Sequence, residues 1–415
     1  MNQKTATTVA RWLAFGSSAA IVLGIAPSQV LLGLSLIALL VSREELRLPP
    51  IKLPLGLFLL GTLLAVALSG DPMAGFPQVK KIYVFSQLLV VYTLIRELKL
   101  ARWLVLTWAG CGAASAVLGV YQFGVKLYRI RQAHMDFYTE YVQRRITGFM
   151  SHWYTFSVEE MLVLLLLGSF LFFSPSARRH MWVWSVLGAA MGIGIVLAET
   201  RAVWIATVVG AIYLVWCWKP WVTLAIPVLA LIGVLAAPPA IRERAISITK
   251  PGPSDSNEFR TILLRTGVRM VKAHPWFGLG PEMPRKRFFD YLPPDVPLPL
   301  PAGSYMHLHN VYLEYAAERG IPVLLIFLWL IGKILWDFRR GLRALPAGRD
   351  DRRFLLHGGI AVVLSLLVEG MTDVNLGDSE VLTIFLVVVA LGYNALANDQ
   401  PLSGRDASRP VIGTE

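Results

Sequence analysis

Two histidines separated by one residue precede a long apolar run in the last third of the chain. The stretch from Met306 to Gly320 reads MHLHNVYLEYAAERG, and the whole sequence holds only seven histidines. Histidine titrates near neutral pH, so it is suited to accept a proton from a substrate. Asn310 to Arg319 is predicted to form a helix that ends at Gly320, before Pro322 opens an apolar segment. His309 then lies at the helix start, where it could act as a general base.

The histidine pair has two other interpretations. His307 and His309 could be ligands of a metal ion, although a His-x-His pair alone fits zinc only weakly. A histidine that merely forms a hydrogen bond at a helix start is the structural alternative. The residues alone leave these alternatives open.

A second group lies in the short turn within LAETRAVWIATVVG, Leu197 to Gly210. Glu199, Thr200 and Arg201 form nearly the whole connection between two apolar segments, so Arg201 begins a helix at the membrane surface. A guanidinium stays charged and presents a planar set of donors that matches phosphate oxygens. The alternative is an arginine that anchors the helix end or pairs with Glu199.

A third group lies in the long connection from Pro238 to Leu308, which carries ten basic and six acidic residues. Within it, SNEFRTILLRTGVRMVKA has apolar residues at helical spacing and ends where His274 and Pro275 forbid continuation. Three basic residues share one face of this predicted helix, with Arg260 at the edge: Arg265, Arg269 and Lys272. Such a stripe would attract an anionic ligand or lipid headgroups, and a merely solvated face is the alternative.

The composition requires a membrane around these groups. The chain is 55% hydrophobic and 16% charged, with a mean hydropathy of +0.57, and it contains apolar runs long enough to cross a bilayer. The sequence therefore predicts an all-α polytopic membrane protein with about twelve transmembrane helices. The predicted spans are Ala10–Ile25, Gln29–Val41, Leu53–Ser69, Ile82–Ile95, Trp103–Val125, Phe156–Phe173, Met181–Ala198, Ala202–Trp216, Trp221–Ala237, Ile321–Trp336, Leu355–Met371 and Val381–Ala397.

The distribution of basic residues predicts the orientation. Connections after even-numbered spans hold fifteen lysines and arginines, against three in the short connections on the other side, and positive short loops stay in the cytoplasm. Both termini are thus predicted to be cytoplasmic and the long connection periplasmic. Because so much of the net charge of +12 sets topology, a nucleic-acid partner is not expected. Cys111 and Cys217 lie in different spans and are predicted to be packing residues.

This topology divides the chain into four parts. Residues 1–237 hold transmembrane helices 1–9, and residues 238–308 form a periplasmic loop domain. Residues 309–398 hold a periplasmic helix and transmembrane helices 10–12. Residues 399–415 are a polar cytoplasmic tail, predicted to be disordered.

The order of these motifs resembles the O-antigen ligase and polymerase superfamily. The chain contains, in this order, ETRAVW, HPWFGLGPE and HLHNVYLEYAAERGIPVLL. Members of the family have, in the same order, an arginine that begins a span, a loop arginine before an hPxxGxGp segment, and an HNxxLxxxxxxG helix. The single run of spans most resembles the lipopolysaccharide O-antigen ligases. The resemblance implies a GT-C-like enzyme that transfers a glycan from undecaprenyl pyrophosphate to lipid A-core in the periplasm, inverting the anomeric centre with no metal and no cofactor.

The resemblance also implies roles for residues. His309 matches the family histidine because Asn310 completes the HN pair, and His307 is the second choice. Arg201 would bind the donor pyrophosphate together with a loop arginine, for which Arg260 and Arg265 are both candidates. Glu199 departs from the family pattern and is expected to orient Arg201 rather than touch substrate.

Three alternatives remain at the level of sequence. An O-antigen polymerase would use the same donor with a second lipid-linked unit as acceptor, and a protein O-oligosaccharyltransferase would use a serine or threonine. A transporter of lipid-linked glycans would place charges at the bilayer midplane and show an inverted repeat. The predicted spans have almost no charge at their centres, which favours a reaction at the outer surface.

Overall fold

A computed structural model describes residues 3–137, 140–141, 144–236, 239–246, 256–300 and 306–397. Within these ranges the protein is helical and contains no β-strand. The α-helices are α1 (Gln3–Ala20), α2 (Ile25–Ser42), α3 (Lys52–Leu68), α4 (Pro72–Leu94), α5 (Leu98–Gln132), α6 (Trp153–Phe173), α7 (Met181–Leu197), α8 (Arg201–Trp218), α9 (Ala225–Ala236), α10 (Pro239–Ile246), α11 (Ser256–Ala273), α12 (Met283–Lys286), α13 (Val311–Ala344), α14 (Asp351–Glu369) and α15 (Ser379–Ala397).

Eight of the described helices are long and apolar enough to cross a membrane. They comprise α1, α2, α5, α6, α7, α8, α13 and α15, some with a flanking 3₁₀ turn. The prediction of an all-α fold is therefore confirmed, and these eight helices support the prediction of a multi-pass membrane protein. The other four predicted spans also fall on helices, namely α3, α4, α9 and α14, but these are shorter, less apolar or more charged than the eight. Twelve spans thus remain a prediction, and the predicted tail lies outside the described residues.

The centre of the bundle consists of α6, α14 and α15, most of whose residues are buried. Serine hydroxyls join α14 to its neighbours, since the Ser365 hydroxyl donates to the carbonyl of Ala206 on α8 at 2.8 Å, and the Ser169 hydroxyl on α6 donates to that of Phe354 at 2.7 Å. Such small polar residues allow close helix packing within a bilayer. As a result α6 and α8 begin, and α14 ends, at the same end of the bundle.

The helix α13 is broken at Gly320, which has φ 83° and ψ 164°. At this break the segment Pro275 to Gly280 crosses the helix and forms three backbone hydrogen bonds with it. The amides of Leu279 and Gly280 donate to the carbonyls of Ala317 and Glu318, at 2.8 and 2.9 Å, and the amide of Ile321 donates to that of Pro275 at 2.8 Å. The break therefore supplies partners for carbonyls at the helix end.

Two glycines permit this crossing. A Cβ at Gly320 would lie 2.2 Å from the carbonyl oxygen of Trp276, and a Cβ at Gly278 would lie 2.3 Å from the carbonyl carbon of Glu318. Both glycines also have a positive φ, which disfavours any L side chain. The predicted end of the first half of α13 at Gly320 is therefore confirmed, with a tertiary cause that the sequence does not reveal.

Replacing Gly278 or Gly320 by alanine is expected to lower the free energy of unfolding. The backbone conformation alone would cost about 1–3 kcal/mol, and the clash of the added Cβ would increase the loss. Gly332, in the second half of α13, is the matched control because an added Cβ there would meet nothing within 4 Å. Gly332→Ala is expected to be neutral or slightly stabilising. Thermal unfolding of the purified variants in detergent measures the effect, and an equal loss in all three would contradict this account.

Candidate functional site

The start of α13 is fixed to the end of α14 by hydrogen bonds. Asn310 caps α13, because its side-chain oxygen accepts from the amide of Leu313 at 2.9 Å. Its side-chain nitrogen donates to the carbonyl of Met371 at 3.0 Å, and the amide of Val311 donates to the carbonyl of Gly370 at 2.8 Å. The predicted helix start is thus confirmed. It brings the histidine pair beside the turn that follows α14.

Both histidines lie against Asp373 in that turn. His309 Nδ1 is 3.4 Å from one carboxylate oxygen of Asp373, and His307 Nδ1 is 3.8 Å from the other. The two imidazole centroids are 4.0 Å apart, and the amide of His309 donates to His307 Nδ1 at 3.3 Å. Asp373 was not identified from the sequence. The one feature of the sequence that could have pointed to it is its position, an acidic residue shortly after the eleventh predicted span.

The electrostatics of the cluster favour an ionised carboxylate and a neutral His307. Burial raises the pKa of Asp373, but the adjacent imidazoles and the amide of Val374 outweigh burial and leave the pKa below its usual value. Burial and the neighbouring His309 lower the pKa of His307 to about 4. Although 37% of the His307 side chain is accessible, the exposed part faces a cavity. His307 is therefore uncharged at neutral pH.

A polar cavity of about 520 Å³ adjoins the histidine pair, and His307 and Asp373 line it. Two buried glutamates of α13 form part of its wall and fix the segments around it. Glu314 accepts from the amide of Leu308 at 2.7 Å, and Glu318 accepts from the amide of Glu282 at 2.7 Å. Six acidic residues line the cavity, against the three basic residues Lys81, Arg285 and Arg319, so it suits a ligand rich in hydroxyl groups more than an anion.

The start of α6 connects this cluster with the arginine turn. The Tyr154 hydroxyl donates to Glu369, the last residue of α14, at 2.9 Å. On the next turn of α6, the Ser157 hydroxyl donates to the hydroxyl of Thr200 at 3.3 Å. Thr200 directly precedes Arg201. A continuous set of contacts thus runs from Arg201 through α6 to the turn that holds Asp373.

The turn before α8 is buried and rich in charge. Arg201 begins α8, as predicted, and Glu199 is only 1% exposed with φ 49°. The Arg244 guanidinium donates to the Glu199 carbonyl at 3.3 Å, and Arg145 lies over the Trp153 ring, 5.3 Å from its centroid. Arg145 and Arg244 interact electrostatically with Glu199. These two arginines were not singled out from the sequence, since Arg145 is remote from the motif.

The loop arginines lie on different faces of α11. Arg260 is half-buried and close enough to Glu369 for their charges to interact. Arg265 is exposed and forms a bidentate ion pair with Asp295, at 2.9 and 2.7 Å. Arg269 and Lys272 share this exposed face. The structure therefore brings Arg260 toward the histidine cluster and keeps Arg265 at the surface.

These features describe a polytopic membrane protein with a polar site at one end of its helix bundle. The family model described as O-antigen ligase matches residues 186–328, and this match confirms the resemblance to the O-antigen ligase family. No curated protein matches the chain. The matched region contains every site residue predicted from the sequence, whereas Arg145, Tyr154, Glu369 and Asp373 lie outside it.

The protonation of Glu199 is expected to make the stability of the protein depend on pH. Burial raises its pKa from 4.5 to about 7, against the effect of Arg244 and Arg145. Between these values the folded state holds a proton that the unfolded state has lost, so the free energy of unfolding falls as the pH rises. Glu199→Gln should remove this contribution and flatten the dependence. Thermal unfolding of both proteins from pH 4.5 to 8 tests this, and parallel curves would contradict it.

Proposed function

We propose that this protein is a lipopolysaccharide O-antigen ligase, which transfers a glycan from undecaprenyl pyrophosphate to a sugar hydroxyl of lipid A-core. The observation that carries the proposal is the contact of His309 with Asp373. His309, Arg201 and Arg260 lie within the family-matched region, and Asp373 comes from outside it. The proposal includes the finer expectations: twelve spans of GT-C type in the inner membrane, cytoplasmic termini and a periplasmic site. In this proposal the reaction uses no metal.

His309 is proposed to be the general base. Its Nδ1 atom faces Asp373, so Nδ1 carries the proton and Nε2 is left as the acceptor. The carboxylate stabilises the imidazolium that forms as the reaction proceeds. The acceptor hydroxyl oxygen then bonds to the anomeric carbon, its proton goes to Nε2, and the bond from that carbon to the pyrophosphate breaks. One displacement from the opposite face inverts the anomeric centre.

The arginines are proposed to hold the leaving group. The departing lipid pyrophosphate gains negative charge, and fixed guanidinium groups stabilise this charge without reorganisation. Arg201 and Arg260 are preferred because both side chains are partly or fully withdrawn from solvent. Arg265 is the weaker candidate, since both terminal nitrogens of its guanidinium already donate to Asp295. Glu199 is proposed to orient Arg201 rather than to touch substrate.

The polar cavity supports the assignment of a sugar acceptor. The carboxylate-rich cavity beside His307 suits the hydroxyl groups of an acceptor sugar. A small apolar cavity lined by Phe58, Phe85 and Phe327 adjoins it, and both cavities share Tyr315 and Arg319. The volume of this apolar cavity is only about 50 Å³, too small for a lipid tail, so the lipid parts of both substrates are expected to lie outside it.

The first test is transfer by the purified protein from undecaprenyl-pyrophosphate glycan to lipid A-core with EDTA present. His309→Ala and Arg201→Ala are expected to lower the rate at least about 100-fold, as removal of a base or of a charge-stabilising donor does. His180→Ala, at an exposed histidine in another part of the chain, is the control. Chains that lengthen on their own carrier would instead identify a polymerase. Full activity of His309→Ala would refute the base assignment.

The two loop arginines are expected to behave differently in the same assay. Arg260→Ala should reduce transfer by about 100-fold if it stabilises the leaving group. Arg265→Ala should stay within about threefold of wild type, because an exposed ion pair contributes little. Asp295→Ala is the matched control for loss of that pair. The reverse order of the two arginine variants would transfer the proposed role to Arg265.

A further inference from the structure

His307, His309 and Asp373 form a cluster of three metal-ligand side chains. One ligand atom from each residue can be chosen so that all three lie within 4.8 Å of one another. The described residues contain no other group of three or more histidine, cysteine or acidic side chains that meets this spacing. Two imidazoles and one carboxylate are also a donor set that zinc accepts in proteins. The cluster therefore has the composition of a metal site as well as that of a His–Asp pair.

The distances within the cluster distinguish the two arrangements. The 3.4 Å between His309 Nδ1 and the Asp373 oxygen is long for a charge-assisted hydrogen bond, which is typically about 2.7–2.9 Å. This Nδ1 atom is buried and has no hydrogen-bond partner in the described structure. Two ligands of a tetrahedral zinc ion, with arms of about 2.0–2.1 Å, stand about 3.3 Å apart. The 3.4 Å gap therefore leaves room for an ion, which would replace the proton that His309 Nδ1 carries in the proposed reaction.

The surroundings also suit a bound ion. The amide of Val374 donates to the Asp373 carboxylate at 2.8 Å, which fixes the orientation of this ligand. His307 and Asp373 face the 520 Å³ cavity, so a fourth position is open to water. Binding through His307 Nδ1 would cost only the long hydrogen bond, 3.3 Å, from the amide of His309.

We propose that His307, His309 and Asp373 bind a divalent transition-metal ion, with zinc preferred, and that this ion inhibits glycan transfer. The inhibitory half rests on the proposed function, because it requires His309 to be the base. An ion on Nδ1 of a neutral imidazole leaves the proton on Nε2, so neither nitrogen has a free electron pair. Imidazole is a poor ligand for magnesium and calcium, so these ions are not expected to inhibit.

Binding is tested first and without reference to activity. Equilibrium dialysis of the purified full-length protein against zinc, and the visible spectrum of added cobalt, report site occupancy and coordination. Wild type is expected to bind one ion per chain with a tetrahedral cobalt spectrum. Asp373→Asn and His307→Ala should weaken binding at least about tenfold, while the control His180→Ala should leave it unchanged. Absence of a bound ion, or equal binding by all variants, would overturn the site.

Inhibition is tested second, in the transfer assay. Zinc at the concentration that fills the site should suppress transfer, and EDTA should restore it. Magnesium at the same concentration should have no effect. Activation by zinc would overturn the inhibitory role. A protein that binds zinc at this cluster but transfers no glycan would refute the proposed function while leaving the site itself intact.

Discussion

The backbone crossing between the segment from Pro275 to Gly280 and the break in α13 is the constraint on which the site depends. Its three hydrogen bonds hold the two backbone segments against each other. The segments approach so closely at the two glycines that a side chain there would clash. The crossing sets the position of Glu318, whose carboxylate binds the amide of Glu282. The motifs HPWFGLGPE and HNVYLEYAAERG therefore pack directly against each other, and this close approach explains the glycine in each, Gly278 and Gly320.

The site separates charge in a way that suits two different substrates. Arginines gather around the turn before α8, where Arg244 contacts Glu199 and Arg145 interacts with it. Carboxylates gather around the start of α13, with Asp373 against the histidines. The first half of the site can neutralise a pyrophosphate, whereas the second can accept hydrogen bonds from sugar hydroxyls and a proton from one of them. The first turns of α6 lie between the two halves.

The sequence predicted local features well because local rules decide them. Asn310 caps a helix through its own side chain, and Pro275 ends another by removing a donor. The partners of these features come from distant parts of the chain. Asp373 reaches the histidines only because α13 and α14 are tied together at their ends, and no spacing in the sequence encodes that contact.

The helix periodicity of α11 could have distinguished the environments of the two loop arginines. Leu263, Thr266 and Met270 are fully buried, and Arg260 lies one turn before Leu263 on the same side of α11. Arg265 falls on the opposite face with Arg269, so the predicted basic stripe exists but points to solvent.

The number of membrane spans was harder to predict. Lys80 and Lys81 lie within α4, and apolar length alone does not decide whether such a helix crosses the membrane.

Backbone conformation adds an independent argument for where the function lies. Among the described residues, five non-glycine residues have a positive φ, and three of them surround the proposed site: Glu199, Glu282 and His309. Such conformations cost free energy and persist only where neighbouring contacts enforce them. At His309 the enforcing contacts are the cap by Asn310 and the bond from Val311 to the carbonyl of Gly370. The positive φ at His309 is therefore consistent with the proposed catalytic role of its imidazole beside Asp373.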